Sequence, residues 1–278
     1  MGSLYKMRPY LCLILVFAFC LCFHPVYTAA AEQVTGSAVS YYTGETLRIR
    51  CRLIESRGTL LVRVDGTDNR LNFKLSNGAK SYAYNAEPGV AVSLPINMGS
   101  GAYELSVRVF IIDNMAEEVW SDSIPVTLEN DATPYLSSSE MVRWNSDMDL
   151  AGHAKNLAEG KTDAEAALAI AGYIASNFEY HDPNQSPGYI PDPQRVYAEK
   201  QGMCFDLAVL TAAMCRSAGI PAALVMGYSE YMGPSKYHAW CSVYLGGEWR
   251  ALDPTYSLGM GIPADFLDGS KTVVTSIY

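Results

Sequence analysis

The sequence predicts an α+β protein in which an antiparallel β-sandwich precedes a domain of helices and strands. Three observations predict this fold class. Apolar and polar residues alternate from Glu32 to about Asn130, which is the period of half-buried strands. Helical periodicity begins only after about residue 132. Near the end of the chain the pair Gly246-Gly247 separates two further strand patterns, as in a hairpin.

The first region contains about seven short strand patterns, each bounded by Gly, Asn, Asp or Pro. "LRIRCRLI" places Leu47 and Ile49 on one face and Arg48 and Arg50 on the other, and "YELSVRV" alternates in the same way. The pattern resembles an immunoglobulin-like module and predicts such a β-sandwich over residues 32–131. The arginine face is either a binding surface or a solvated sheet face that discourages edge pairing, and the second arrangement is the commoner one.

The first 31 residues have the composition of a cleavable signal peptide. Lys6 and Arg8 precede an apolar run from Leu11 to Phe23, and small residues follow up to Ala31. The run is shorter than the roughly 18 to 20 apolar residues that span a bilayer, which disfavours an uncleaved anchor. We therefore expect cleavage near Ala31 and a protein that is secreted or associated with the cell envelope.

The chain is acidic, with a net charge of -9. Removal of residues 1–31 would take away two of the 20 basic residues and none of the 29 acidic ones, leaving -11. Such a chain is poorly suited to nucleic acid or to an anionic membrane surface. Four cysteines would remain, too few for a disulfide framework. Cys204 and Cys215 cannot pair within one helix, because about three turns separate them, whereas pairing of Cys215 with Cys241 stays open.

Two capping-box patterns mark helices after residue 132. Ser137 with Glu140 predicts a helix from about 137 to 157, and Thr162 with Glu165 predicts one from 163 to 178. The next segment, "HDPNQSPGYIPDPQRVYAEKQG", is rich in proline and lacks periodicity. Connections of this length are usually functional or disordered, so we expect it to form one wall of a cleft. The second domain is predicted to cover residues 132–278.

Cys204 stands where the apolar helix in "GMCFDLAVLTAAMC" begins. A thiol at this position faces free backbone N–H groups and the positive end of the helix dipole, which stabilise a thiolate. Gly202 is expected to let the chain turn sharply into that position. Cys215 falls in the body of the helix, on a face of small residues, and is interpreted as packing.

"YHAWCSVYLGGEWRALDPTY" predicts two strands joined at Gly246-Gly247. If the residues on either side of the glycines pair, His238 and Asp253 become diagonal neighbours on one face. At that spacing a carboxylate can hold an imidazole. A slip of one residue in the register would separate them. The opposite face of the first strand, from Ala239 to Leu245, is predicted to be core.

A thiol at a helix start and a histidine oriented by an acid are the parts of a nucleophilic triad. Cys204 would attack, His238 would move the proton and Asp253 would fix the tautomer of the ring. The amide of Cys204 is the natural first oxyanion donor. Zinc binding is the other use of such residues, but they show no paired ligand spacing, so no metal is predicted. His153 and His181 lack an oriented acid at comparable spacing and are interpreted as incidental.

The segments "GMCFDLAVLTAAMCRSAGIPAALVMGY" and "HAWCSVYLGGEWRALDPTY" together resemble the transglutaminase-like superfamily. Its pattern is Gly-x-Cys opening a helix, Gly-Ile-Pro-Ala turning into a strand, His-Ala-Trp on the next strand and Asp-Pro-Thr on the one after. The resemblance covers about residues 137 to 270 and implies a papain-like α+β fold. It makes Cys204 the nucleophile, His238 the base and Asp253 the orienting acid. Ala223 departs from the pattern, since the family often has arginine there.

The resemblance implies an enzyme that forms a thioester with a protein or peptide amide and passes the acyl group to water or to an amine. Hydrolysis is favoured, because water is abundant and an amine acceptor needs its own binding site. The alternative is a binding module at the cell surface that keeps the fold without turnover. A cell-envelope partner could dock on the β-sandwich in either case. No cofactor, nucleic acid or calcium dependence is predicted.

Overall fold

The computed structural model describes residues 34–40, 46–54, 57–112, 115–182, 189–233 and 236–278. The predicted signal peptide, residues 1–31, lies outside these ranges, so its cleavage stays a prediction. Within the described ranges no helix has both the length and the apolar character needed to cross a membrane.

Two four-stranded antiparallel sheets form the first part of the described chain. Their strands are β1 Val34–Ser40, β2 Thr46–Ile54, β3 Thr59–Asp65, β4 Leu71–Asn77, β5 Lys80–Ala86, β6 Val92–Pro95, β7 Gly101–Ile112 and β8 Met115–Val126. One sheet has the order β1-β2-β3-β6 and the other β5-β4-β7-β8. The predicted strands correspond to β2 through β8. β1 was missed because "VTGSAVS" has too few apolar residues to alternate.

The sheets bury their apolar faces against each other and turn polar residues outward. β2 buries every second residue from Leu47 and exposes the residues between them. On the outer face Asp65 pairs with Arg50 and, at 2.8 Å, with Arg63. Exposed pairs of this kind contribute only about 0 to 1 kcal/mol. The arginine face therefore has the character of a solvated sheet face, and the likeness to an immunoglobulin-like module stays a prediction.

The second part combines five helices with a five-stranded antiparallel sheet in the described ranges. The helices are α1 Asp149–Ala158, α2 Asp163–Asn177, α3 Pro193–Glu199, α4 Cys204–Ser217 and α5 Pro254–Met260. The strands are β9 Glu179–Tyr180, β10 Gln201–Gly202, β11 Ala222–Ser229, β12 Tyr237–Leu245, β13 Glu248–Leu252, β14 Phe266–Leu267 and β15 Thr272–Ile277. The sheet order is β14-β13-β12-β11-β15, and β9 pairs with β10 in parallel outside this sheet.

Helix α4 is the central element of this part. Every residue from Asp206 to Ser217 is buried, and α1, α2, α3 and α5 contact the helix, as do β11 and β12. The face of β12 from Ala239 to Leu245 that was predicted to be core packs in the same apolar cluster. Cys215 is fully buried there, which confirms its interpretation as packing. Cys215 and Cys241 are both free thiols in this structure.

The predicted helix from 137 to 157 is wrong in its first half. The chain forms a short 3-10 helix over Thr133–Leu136 and then runs through turns until α1 begins at Asp149. Ser137 does not begin a helix but ends the 3-10 helix as its C-cap, and its hydroxyl donates to the carbonyl of Arg57 at 2.7 Å. The indole of Trp144 donates to Leu136 at 3.2 Å. Contacts distant in sequence therefore override the local capping pattern, whereas the second capping box forms as predicted at Thr162.

The proline-rich connection contains regular structure that the sequence did not predict. Asp192 accepts hydrogen bonds from the backbone N–H groups of Gln194 and Arg195, at 3.0 and 3.3 Å, and Pro193 stands in the first turn of α3. An aspartate cap followed by proline is a helix-start signal. The density of prolines hid this signal in the sequence. Residues 183–188 of the connection lie outside the described ranges.

Arg216 joins the end of α4 to three other segments. Its side chain is 2% exposed. Nε donates to the carbonyl of Ala222 at 2.7 Å, and the terminal nitrogens donate to those of Ser137 and Tyr278 at 2.7 and 3.1 Å. Burial lowers the pKa of Arg216 to about 10, which still leaves the guanidinium charged at neutral pH. These bonds give the buried guanidinium three carbonyl acceptors, of which that of Tyr278 also accepts from the N–H of Leu224 at 2.9 Å.

Arg216→Met should lower the free energy of unfolding by about 2 to 5 kcal/mol, because it removes the three hydrogen bonds from the buried guanidinium to Ala222, Ser137 and Tyr278. Chemical denaturation of the full chain measures this. Arg143→Met is the matched control, since Arg143 is exposed and donates to the carbonyl of Glu140 at 3.2 Å. Its loss should change the stability by no more than about 0.5 kcal/mol. Equal losses in the two variants would contradict the role given to Arg216.

Candidate active site

Cys204 occupies the first position of α4, as the sequence predicted. It is partly exposed, in contrast to the body of the helix. The first N–H groups of a helix have no partner within it and carry its partial positive charge. The backbone N–H of Met203, one residue earlier, donates to Oδ2 of Asp206 at 3.0 Å. The thiol of Cys204 therefore lies at the start of α4, and the side chain of Asp206 fixes the backbone of the preceding residue, Met203.

Gly202 is required for a different reason from the one predicted. Its φ is not in the left-handed region, so the turn does not depend on the freedom of glycine. A Cβ at this position would lie 2.6 Å from the Cβ of Asp206, which is closer than real Cβ atoms come. The N–H of His181, the residue after β9, donates to the carbonyl of Gly202 at 3.1 Å. Glycine is therefore required at position 202 because the backbone there lies too close to Asp206 of α4 to leave room for a side chain.

Asp206 belongs to the site and was not predicted from the sequence. Its side chain is buried, and Oδ1 accepts a hydrogen bond from the hydroxyl of Tyr189 at 2.5 Å. Arg195 donates to the same hydroxyl at 2.6 Å. The ring of Tyr189 lies 6.3 Å from that of Phe205. The end of the proline-rich connection is thereby tied to α4 beside the thiol. An acid at the third helical position was the available signal.

Lys200 turns the chain from α3 into β10 with a φ of 57°, a left-handed conformation that costs a residue other than glycine about 1 to 3 kcal/mol. Its ammonium lies 3.7 Å from the ring centre of Tyr197 and 4.7 Å from that of Phe178. It also donates to the hydroxyl of Tyr173 at 2.5 Å. These contacts stabilise the turn. His153 lies in the same cluster, with Nδ1 3.0 Å from the hydroxyl of Tyr197.

Strand β12 and the start of α5 bring His238 and Asp253 together. Nε2 of the imidazole lies 2.7 Å from Oδ2 of the carboxylate, and the two side chains are 3% and 1% exposed. The other oxygen, Oδ1, accepts from the backbone N–H groups of Thr255 and Tyr256 at 2.9 and 3.1 Å. One carboxylate therefore caps α5 and holds the imidazole.

The register of the β12–β13 hairpin is the predicted one as far as the strands extend, with Cys241 opposite Leu252. The family pattern implied that Asp253 lies on the second strand of the hairpin. In the structure it lies just beyond that strand. β13 ends at Leu252 and Asp253 becomes the N-cap of α5, because Pro254 takes the first helical position. The bend keeps the carboxylate in contact with His238.

The thiol of Cys204 faces the same imidazole. Burial lowers the pKa of His238, but hydrogen bonds to Asp253 and Cys204, and the negative charges of both, outweigh it and raise the pKa to about 9. Because Asp253 takes Nε2, Nδ1 is the nitrogen left for the sulfur. The structure therefore brings His238 and Asp253 into direct contact, with Cys204 near enough to raise the pKa of the imidazole.

Two aromatic side chains border the site. The ring of Trp240 lies 6.3 Å from that of His238, at an interplanar angle of 20°. Tyr180, at the end of β9, is 48% exposed. Burial raises the pKa of Tyr180, and so do the negative charges of Cys204, Asp182 and Asp206. The hydroxyl of Tyr180 is therefore held in its protonated form in the neighbourhood of Cys204.

Comparison with known proteins places the site in a recognised domain. Residues 152–254 match the model of the transglutaminase-like superfamily. Human (Homo sapiens) kyphoscoliosis peptidase is 31% identical over 114 residues, which cover 37% of this chain and 17% of the peptidase. An uncharacterised protein of Mycobacterium leprae is 27% identical over 141 residues, which cover 43% of this chain and 47% of that protein. The match spans less than half the length of either relative.

Solved structures are similar at a greater distance. Red sea bream transglutaminase is 15% identical with a TM-score of 0.30, over 72% of this chain and 48% of that chain. The periplasmic domain of TgpA from Pseudomonas aeruginosa is 15% identical with a TM-score of 0.36, over 84% of this chain and 79% of that chain. Sequence identities and TM-scores this low give no information about the activity of this chain. The match to the transglutaminase-like superfamily is over residues 152–254, and that superfamily includes cysteine peptidases and transglutaminases.

His238 should stay protonated up to about pH 9, as followed by NMR of the labelled imidazole. The pKa in the folded state lies above the 6.5 of an ordinary histidine, so the stability due to its partners is fully present below pH 6.5. That stability is lost as the pH rises from 6.5 through about 9, which denaturation at several pH values measures.

Asp253→Asn is the matched variant for this titration, because an amide oxygen can still cap α5 but carries no charge. In this variant His238 should titrate at a lower pH, and the loss of stability toward pH 9 should become smaller. A midpoint near 6.5 in the unaltered protein would contradict the geometry described here.

Proposed function

We propose that this protein is a cysteine-dependent enzyme that acts on protein or peptide amides through a thioester. Cys204 is the nucleophile, His238 moves the proton and Asp253 orients the imidazole. The observation that carries the proposal is the 2.7 Å contact between the buried His238 and Asp253, at a site whose third member is a partly exposed thiol at a helix start. Each of these features alone is common in proteins without activity, whereas their combination matches the requirements of nucleophilic catalysis.

Thioester formation is the first half of the reaction. The proton of Cys204 already lies on Nδ1 of His238, which is protonated below about pH 9, and the sulfur attacks the carbonyl carbon of the amide as the thiolate. The oxyanion that forms can accept a hydrogen bond from the backbone N–H of Cys204, one of the free donors at the start of α4. Collapse of the intermediate breaks the C–N bond, and the departing amine takes the proton from His238.

The thioester is resolved in the second half. Water or a primary amine attacks the thioester carbon, His238 removes the proton from the attacking group, and Cys204 leaves as the thiolate. Hydrolysis and acyl transfer share every earlier step. We favour hydrolysis, because the transfer reaction requires a binding site for the amine in addition to the triad.

Asp253 supports both halves by fixing the ring. The carboxylate is held by two backbone N–H groups of α5, so the oxygen facing His238 has little freedom to move. Burial of both side chains limits competition from water for Nε2. With Nε2 held, Nδ1 stays directed at the sulfur, which is the orienting role of the acid in such triads.

The predicted signal peptide supports a place of action outside the cytoplasm, on a secreted or envelope protein or peptide. The acidic net charge of the chain argues against nucleic acid as the substrate. The human relative that shares this domain is named a peptidase, which agrees with an amide substrate. A cell-envelope partner of the β-sandwich stays part of the proposal.

Mass spectrometry of a peptide mixture incubated with the full chain, with and without cadaverine, tests this function. Cleaved backbones, deamidated glutamines and cadaverine adducts identify a peptidase, a glutaminase and an acyltransferase respectively. We expect one of these products from the unaltered protein and none from Cys204→Ala. His238→Gln should lower the rate by about a hundredfold or more.

A product that persists in Cys204→Ala would overturn the assignment of the nucleophile. If no product forms and a thiol-selective probe fails to label Cys204 near neutral pH in the folded protein, the alternative is favoured. The domain would then be a binding module that has kept the fold without turnover.

A further inference from the structure

The side chain of Tyr180 leaves strand β9 on the face that meets the start of α4. In the parallel pair of β9 and β10, Tyr180 lies opposite Gly202, two residues before Cys204. Residues that lie opposite each other in neighbouring strands turn their side chains to the same face of the sheet. A Cβ at Gly202 would lie 2.6 Å from the Cβ of Asp206, so this face is the one that packs on the first turn of α4. The phenol ring of Tyr180 is therefore directed toward the helix start that carries the thiol.

The hydroxyl of Tyr180 interacts electrostatically with the thiol and keeps its proton. Burial raises the pKa of Tyr180, and negative charge on Cys204 raises it further. Tyr180 is nevertheless 48% exposed, so a substrate at the thiol can reach the ring. Within the described part of the chain, the hydroxyl has no hydrogen-bond partner. Its proton is therefore available to a group that binds at Cys204.

Two other tyrosines near the site have hydroxyl protons that are already used. Tyr189 donates to Oδ1 of Asp206 at 2.5 Å. The hydroxyl of Tyr237 lies 3.1 Å from Oγ1 of Thr275, which gives its own proton to a backbone carbonyl at 2.9 Å. Tyr237 is therefore the donor in that contact. Tyr180 differs from both, because its proton has no acceptor among the residues that the structure describes.

We propose that the hydroxyl of Tyr180 is the second oxyanion donor, alongside the backbone N–H of Cys204. The inference rests on the proposed function and adds a catalytic residue to it. Both donors are anchored to one segment of backbone, because β9 pairs with the residues just before Cys204. Donors that are fixed before the reaction stabilise an oxyanion without having to reorganise.

The hydroxyl acts at the tetrahedral intermediate. When the thiolate of Cys204 attacks, the C–S bond forms and an electron pair of the carbonyl moves to its oxygen, which accepts a hydrogen bond from each donor. On collapse the C=O bond forms again, the C–N bond breaks and the amine takes its proton from His238. Tyr180 keeps its proton throughout, so it stabilises the intermediate without transferring a proton.

Two reactions of Cys204 in the full chain test this role. p-Nitrophenyl acetate acylates a thiol through a tetrahedral oxyanion, whereas iodoacetamide alkylates it by displacement at a saturated carbon and forms no oxyanion. Tyr180→Phe should slow the burst of p-nitrophenol by about a hundredfold, which is typical for the loss of one oxyanion donor. It should leave the rate of alkylation unchanged, which intact-mass spectrometry measures. The unchanged alkylation also shows that the start of α4 is still folded.

Tyr237→Phe is the matched control. Tyr237 is 52% exposed and directly precedes His238, but its hydroxyl proton is used by Thr275. This variant should keep both rates.

The outcomes separate the proposed function from the role of Tyr180. If the unaltered protein gives no burst, or the burst persists in Cys204→Ala, the proposed function fails and the oxyanion donor fails with it. If the burst requires Cys204 but is as fast in Tyr180→Phe, the proposed function stands and Tyr180 is not the donor. Equal slowing of acylation and alkylation in Tyr180→Phe would also overturn the inference, because the hydroxyl would then act on the thiolate and not on the oxyanion.

Discussion

The buried contact between His238 and Asp253 is the constraint on which the rest of the site depends. The carboxylate has two fixed sets of partners, the imidazole on one oxygen and two N–H groups of α5 on the other. These partners require β13 to end at Leu252 and α5 to begin at Pro254. Together with Pro254 at the first helical position, this side chain therefore links the end of the hairpin, the start of the helix and the orientation of the imidazole. Since both side chains are almost fully buried, the apolar packing of β12 supports the same geometry.

The thiol reaches this pair through a separate set of contacts. Lys200, held among aromatic rings, turns the chain toward α4, and Asp206 fixes the residue before Cys204. The body of α4 is buried throughout, and Arg216 anchors its far end to distant carbonyls. A helix held along its whole length keeps its first residue in place, which is what a nucleophile must have relative to its base. The β12–β13 hairpin thus positions the pair His238 and Asp253, and α4 positions Cys204.

The parts of the fold that depend on local patterns could be predicted from the sequence. The alternation in β2 and β7, the glycine hairpin and the helix that begins at Cys204 are all visible within a few neighbouring residues. Parts set by distant contacts could not. Ser137 bonds to Arg57 instead of beginning a helix, and the left-handed turn at Lys200 depends on rings from α2 and α3.

The site shows the same division. Cys204, His238 and Asp253 stand in recognisable motifs, whereas the bond from Tyr189 to Asp206 joins positions whose proximity no motif records. The division into domains at 32–131 and 132–278 stays a prediction.

A double-mutant cycle tests most directly whether Cys204, His238 and Asp253 act as one unit. The rate of thioester formation is compared in the unaltered protein, in Asp253→Asn, in His238→Gln and in the double variant; asparagine is chosen because it can still cap α5. The account predicts that Asp253→Asn slows the reaction by orders of magnitude in the unaltered protein and has no further effect once His238 is replaced. Slowing by the same factor in both backgrounds would show that Asp253 acts independently of the imidazole and would contradict the account.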